Sequence, residues 1–239
     1  MRGLLLFLGA ILLSGSAFAA CGSGGGGLDI NCDGTVRLAV LGDSFVVGTG
    51  DLRYGGRGGY VLRARRKLRN VTVDGFGTKG LDTRQLLTRI IDAFARGPRS
   101  SPQEASLKGA LLESDIVVLD LGRNDRWFFG PPSEAYRNLK RIRSLIRTKV
   151  GEATGVAPVI VTAVLMLPNR GSQGPWVKDL NRLILKSHRP EAPANLRFDL
   201  VSKRLLSSDQ LHPTSIGYDE LAKTFVDYIL KVLPRLVNS

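Results

Sequence analysis

Five short runs of β-branched and other apolar residues, separated by turns and by stretches with helical spacing, constrain this chain more than any other feature. They are Val36–Leu41, Val71–Asp74, Asp115–Leu121, Pro158–Leu165 and Leu196–Val201. Apolar residues come one after another in these runs instead of alternating, as strands buried on both faces require. Between the runs the apolar positions recur every three or four residues, as at Leu86, Leu87, Ile90, Ile91 and Phe94, and at Tyr136, Leu139, Ile142, Ile146 and Val150. That spacing predicts amphipathic helices. Asp82, three residues before Gln85, marks one helix start, and Pro175 opens another helix carrying Trp176, Leu180, Leu183 and Ile184. A last helix is expected from about Ser215 to Leu233, with Leu221, Phe225, Ile229 and Val232 on one face. The segment Gly97–Gln103 reads as a surface excursion. Strands and helices alternating at this length predict an α/β fold with a five-stranded, parallel, doubly wound sheet.

The alternation begins at residue 36, and the preceding chain has another character. After Arg2, Gly3–Leu13 is almost wholly apolar yet shorter than a membrane span, and Ala17-Phe18-Ala19 offers small residues for cleavage. Residues 1–19 are therefore expected to be a signal peptide and the protein to be exported, periplasmic or extracellular. Residues 20–35 form a Gly-rich segment, and 36–239 a single globular domain. Both cysteines, Cys21 and Cys32, precede the first strand. Two readings stand side by side: a short disulfide loop, or a lipidated Cys21 that anchors the protein to a membrane through a flexible glycine tether. The formal charge is +13, and losing the signal peptide would remove only Arg2 from it. Such a surface favours anionic surroundings. Its densest runs, Arg63 to Arg69 and Arg137 to Lys149, fall on expected helices and read as solvated faces. Export argues against a nucleic-acid partner.

In a doubly wound sheet the functional groups gather at the carboxyl ends of the strands. The first run leads into Gly42-Asp43-Ser44, the second into Gly75-Phe76-Gly77-Thr78-Lys79-Gly80, the third into Gly122-Arg123-Asn124-Asp125 and the fifth into Asp209-Gln210-Leu211-His212-Pro213. Each piece is short and alone admits a plain structural role, such as capping a helix. Together they place a serine, a histidine with an aspartate three residues before it, and several amide donors at one end of one sheet. Pattern alone does not assign a chemistry to that set. Ser44 lacks the Gly-x-Ser-x-Gly elbow, the Gly55–Gly59 run lacks a phosphate-loop ending, and two histidines with N-terminal cysteines imply neither a metal nor a cofactor.

In this order and placement the motifs closely resemble the SGNH (GDSL-like) hydrolases over Leu38 to Tyr218. The signature residues would be Ser44, Gly80, Asn124 and His212, with Asp209 beside the histidine. The resemblance implies a three-layer α/β/α, flavodoxin-like fold and a serine esterase. Ser44, His212 and Asp209 would be its triad, and the Ser44 and Gly80 backbone N–H groups with the Asn124 amide its oxyanion hole. Where the family usually has an asparagine two residues before the first glycine of the second block, this chain has Gly75, and an offset there would make Gly77 the donor. Trp127, with Phe128 and Phe129, lines a substrate pocket or packs in the core. His188, at an expected helix end, receives no catalytic role. The substrate classes left open are acetylated carbohydrate, lipid ester and thioester, with acyl transfer to a sugar, or polysaccharide binding without turnover, as the alternatives. Oligomeric state is not legible.

Overall fold

The computed structural model describes residues 28–95, 101–127, 130–186 and 196–232. The expected signal peptide, Cys21, Phe128, Phe129 and His188 lie outside the described residues. Cys32 is disulfide-bonded.

Four of the five expected strands form: β1 (Val36–Gly42), β2 (Val71–Gly77), β3 (Ile116–Asp120) and β4 (Val159–Thr162). All pair in parallel, in the order β2-β1-β3-β4. In the register Gly42 stands between Gly77 and Asp120, so three strands end level around the first of them. β3 and β4 are buried throughout, as their unbroken apolar sequences require.

The fifth run needs correction, because Leu196–Val201 does not form a strand. One parallel bridge, Val164 to Arg197, holds it beside the extension of β4, with the Val164 N–H donating to the Leu196 carbonyl at 2.7 Å. The Arg197 guanidinium then grips Asp199 through bonds of 2.7 and 2.8 Å, and Phe198–Leu200 curls into a 3-10 turn. A turn of that pitch lacks the extended backbone that further ladder bonds need. The described sheet therefore has four strands, in the same α/β class.

Helices α2 (Gly59–Lys67) and α7 (Ser215–Asp227) pack on each other, while α3 (Thr83–Ala95), α4 (Pro102–Glu113), α5 (Pro132–Thr154) and α6 (Gln173–Lys186) form a second connected set. Right-handed crossovers place the two sets on opposite faces of the sheet. On the first face Tyr60 meets Phe198 and Phe225 with ring centroids 5.0 and 5.6 Å apart. α3 starts as expected, through a reciprocal cap in which the Asp82 N–H donates to Gln85 Oε1 and the Gln85 N–H to Asp82 Oδ1, at 3.1 and 2.7 Å. Helix α4 has no counterpart among the expected helices, and α7 ends at Asp227 in a π-type turn over Tyr228–Val232.

Candidate active site

A side chain at Gly42, the last residue of β1, would meet Val46 Cγ2 at 2.5 Å and the Asp120 carbonyl oxygen at 2.6 Å. Bare backbone at that point lets the chain turn directly from the strand into the short helix α1 (Ser44–Val47). Asp43 caps this turn, its Oδ1 accepting from the Phe45 N–H at 3.0 Å. Ser44 comes next, 7% exposed, with its Oγ 2.9 Å from His212 Nε2. His212 Nδ1 stands 2.6 Å from Asp209 Oδ2. Asp209 Oδ1 accepts from the Ser207 hydroxyl at 2.7 Å and from the Leu211 and His212 N–H groups at 2.9 Å each. Between them Gln210 has φ +57°, a left-handed conformation uncommon outside glycine, and it closes the loop tightly enough for those bonds.

Burial alone would push the Asp209 carboxyl up. The His212 ring, the two backbone N–H groups and the Ser207 hydroxyl outweigh it and hold Asp209 well below the usual carboxylate range. An ionised acceptor at Nδ1 favours the tautomer whose Nδ1 carries the proton, so the Nε2 lone pair faces the Ser44 hydroxyl.

Asn124, in the turn after β3, donates from Nδ2 to the Leu81 carbonyl at 3.0 Å, which fixes its amide beside Gly80. Gly80 has φ +75° in open space, and its N–H makes no bond to another described residue. Gly77 is placed differently. It pairs with Gly42, and a side chain there would lie 2.8 Å from the Val47 nitrogen, so it is wedged against α1. Trp127 is 51% exposed, which sets aside core packing for it. Its backbone N–H donates to the Asn124 carbonyl at 3.0 Å, and the guanidinium carbons of Arg126 and Arg170 lie over its ring, 5.3 and 5.9 Å from the centroid.

Residues 40–220 match the GDSL-like lipase/acylhydrolase family. The chain belongs to that family. It is accordingly an ester-hydrolysing enzyme, with the SGNH likeness of its motifs carried through to the fold. Among curated proteins it is similar to the spore germination lipase LipC of Bacillus licheniformis, 24% identical over 204 residues that cover 79% of this chain and 94% of the relative. Among solved structures, the lipase Lip_vut3 from a goat rumen metagenome superposes with a TM-score of 0.61 at 21% identity, covering 80% of this chain and 96% of that one. A carbohydrate acetylesterase family member from Sinorhizobium meliloti gives 0.61 at 15% identity, covering 86% and 100%.

Two buried assemblies support the site of this GDSL-like hydrolase, and motif reading does not reveal their roles. Arg123, 1% exposed, donates to Asp120 Oδ1 at 2.7 Å and to Asp43 Oδ2 at 3.4 Å, with its guanidinium carbon 3.8 Å from the Phe45 ring centroid. The loop after β4 closes on the same region. The Asn169 N–H and side chain bond the Gln210 carbonyl and Oε1, each at 2.9 Å, and Gln173 Nε2 donates to the Arg123 carbonyl at 3.2 Å. Their signal in the sequence is position: they lie beyond the carboxyl end of the fourth strand, where an α/β sheet gathers its functional groups.

The second assembly lies under Asn124. Asp125 Oδ2 accepts from the Thr83 N–H at 3.0 Å, its Oδ1 from the Thr83 hydroxyl, and Asn138 Nδ2 donates to that hydroxyl at 3.1 Å. Burial pushes the Asp125 carboxyl up to about 6 despite these bonds. The folded chain then holds a proton on Asp125 at pH values where an unfolded carboxyl near 3.8 has lost it, so stability falls as pH rises through that window. At neutral pH the cost is roughly 3 kcal/mol. Asp125→Asn removes the titration. Between pH 7 and pH 4.5 about 2 kcal/mol of this is recovered, because the unfolded carboxyl is still largely ionised at pH 4.5, and the difference in Tm between parent and variant should move in the parent's favour by about 4–8 °C. A difference independent of pH would show that Asp125 titrates as an ordinary carboxylate.

Proposed function

We propose that this GDSL-like hydrolase is an exported serine esterase that cleaves a carboxylic ester through an acyl-enzyme on Ser44. The observation that carries the reading is the unbroken chain from Asp209 Oδ2 through the His212 ring to Ser44 Oγ, at 2.6 and 2.9 Å. Ser44 Oγ attacks the ester carbonyl carbon while its proton passes to His212 Nε2. The tetrahedral intermediate collapses, and the leaving alkoxide takes that proton from Nε2. Water then attacks the acyl group, giving its proton to Nε2 and releasing the carboxylic acid, with the proton returned to Ser44. Asp209 stays ionised throughout and stabilises the imidazolium.

The oxyanion is met by the Ser44 N–H, the Gly80 N–H and the Asn124 amide. Gly80 is preferred to Gly77 because its N–H is uncommitted and Asn124 is anchored at the residue after it. Trp127 is read as a substrate contact, since its ring is exposed in the turn that also carries Asn124. Export rests on the apolar stretch and small-residue cleavage site of residues 1–19. The candidate substrates are acetylated carbohydrate, lipid ester and thioester.

The test is covalent. A fluorophosphonate should add once, on the peptide carrying Ser44, and p-nitrophenyl acetate hydrolysis should fall in proportion to labelling. Label on another residue, or full activity in fully labelled protein, would defeat the assignment.

A further inference from the structure

Beside the triad lies a cavity of about 610 Å³. Val46 and Val47 of α1, Gly50, Gly77 and the two cations Arg57 and Lys79 are among its walls. Gly50 packs against His212, since a side chain there would lie 3.1 Å from His212 Cβ, so the cavity adjoins the site across that residue. Apart from the two valines no apolar side chain lines it, and glycine backbone makes up much of the rest. A long acyl chain would find little here to pack against.

The charges are more specific than the shape. Three neighbouring arginines are matched to carboxylates, Arg53 to Asp219, Arg63 to Asp51 and Asp219, and Arg65 to Asp74, while Arg66 and Arg89 donate to the Tyr54 and Thr78 hydroxyls. Arg57 and Lys79, both exposed, form no side-chain bond with any described residue. The loops after β3 and β4 carry two further cations without a carboxylate among the described residues, Arg126, which donates to the Ser172 hydroxyl, and Arg170, both against the exposed Trp127 ring. In the order β2-β1-β3-β4, Ser44 comes after β1, Lys79 after β2, and Arg126 and Arg170 after β3 and β4. Unmatched cations therefore flank the nucleophile on both sides. The carboxylates of the site motifs are committed: Asp43 and Asp125 are buried and bonded, and Asp209 holds His212.

Resting on the serine-esterase reading, we propose that the substrate is an ester carried on an acidic polysaccharide. Its carboxylates meet Arg57 and Lys79 in the cavity and Arg126 and Arg170 beyond β3, while a sugar ring lies on Trp127. An extended polyanion explains cations on both sides of the serine, which a small neutral ester does not need. At Trp127 the exposed aromatic surface and two guanidinium groups held over the ring stand together, a combination suited to a sugar ring bearing a carboxylate.

The experiment measures acetate released from O-acetylated polygalacturonate and from the same polymer with its carboxylates methyl-esterified. At low salt kcat/KM should favour the free-acid polymer by about tenfold or more. In about 0.5 M NaCl, where exposed charges are screened within a few ångströms, the ratio should approach one. In Arg57→Glu/Lys79→Glu it should fall at least tenfold, and because both polymers meet one preparation, a partly unfolded fraction cancels from the ratio. A ratio near one in the parent at low salt, or a ratio that survives in the double variant, overturns the proposal. So does discrimination confined to lysophosphatidylglycerol over monoacylglycerol, which would point to a lipid headgroup. Ser44-dependent hydrolysis of p-nitrophenyl acetate with neither polymer attacked overturns the polysaccharide and leaves the esterase standing. No Ser44-dependent hydrolysis of any ester removes the esterase reading itself.

Discussion

Changing Ser44 to alanine should lower kcat/KM on p-nitrophenyl acetate by about 10⁴- to 10⁶-fold, and changing His212 to alanine should do the same. The two groups are joined by a 2.9 Å bond and act on one proton, so removing either leaves the other without a task. The double variant Ser44→Ala/His212→Ala should accordingly be no slower than either single variant. Asp209→Asn keeps the loop bonds available to one oxygen but loses the charge facing Nδ1, and should cost less than the other two by one to two orders of magnitude. Asn124→Ala removes one of several oxyanion donors and should cost about 10²- to 10³-fold, in kcat more than in KM. Full kinetics on these variants, with their melting curves, check the set. Multiplicative losses in the double variant would mean that Ser44 and His212 do not work on the same bond.

The sequence displayed most of this because its strong signals were local. β1, β3 and β4 are buried on both faces, so their apolar runs had no alternative reading, and the Asp82–Gln85 cap set the start of α3 within one residue. α4 was less visible: its apolar residues are not gathered on one stripe, and only Ser101, Pro102 and Glu104 announce it, in a reciprocal cap at the edge of the segment read as an excursion. The fifth run shows the limit of composition. Leu196, Phe198 and Val201 are apolar enough for a strand and are buried as one would be, yet after a single bridge the backbone curls into a 3-10 turn in which Arg197 pairs with Asp199. At the site, the triad was legible as residue types at strand ends, whereas Arg123 was not. It sits inside the Gly122–Asp125 motif, but nothing in a sequence says that a long cationic side chain there turns inward toward Asp43 and Asp120.

That inward turn makes Arg123→Met the substitution with the largest expected effect on stability. Met nearly matches the volume and removes only the charge and its donors. In the parent, one guanidinium serves two buried carboxylates, and Tyr60 donates to Asp120 Oδ2 at 3.1 Å. Burial already pushes the Asp43 carboxyl up, with Arg123 the main group opposing that rise. Without the cation, Asp43 and Asp120 face each other uncompensated, and breaking a buried pair in this way costs about 3–5 kcal/mol, a large share of a typical domain's stability. Tm should fall by about 6–20 °C. The loss should also depend on pH in a definite direction. With its folded-state pKa raised further, Asp43 binds a proton that the unfolded chain has released, so the variant loses stability as pH rises above the ordinary carboxylate value of 3.8 and regains it on acidification. The same change reaches the chemistry, because Asp43 Oδ1 holds the Phe45 N–H and with it the turn that presents Ser44. Folded Arg123→Met should therefore lose kcat more than it gains in KM, and Arg123→Lys, which restores charge without the two-pronged donor, should recover more of the Tm than of the kcat. A variant melting within about 2 °C of the parent at every pH would show that the buried cation neither holds the strand ends together nor shapes the serine turn.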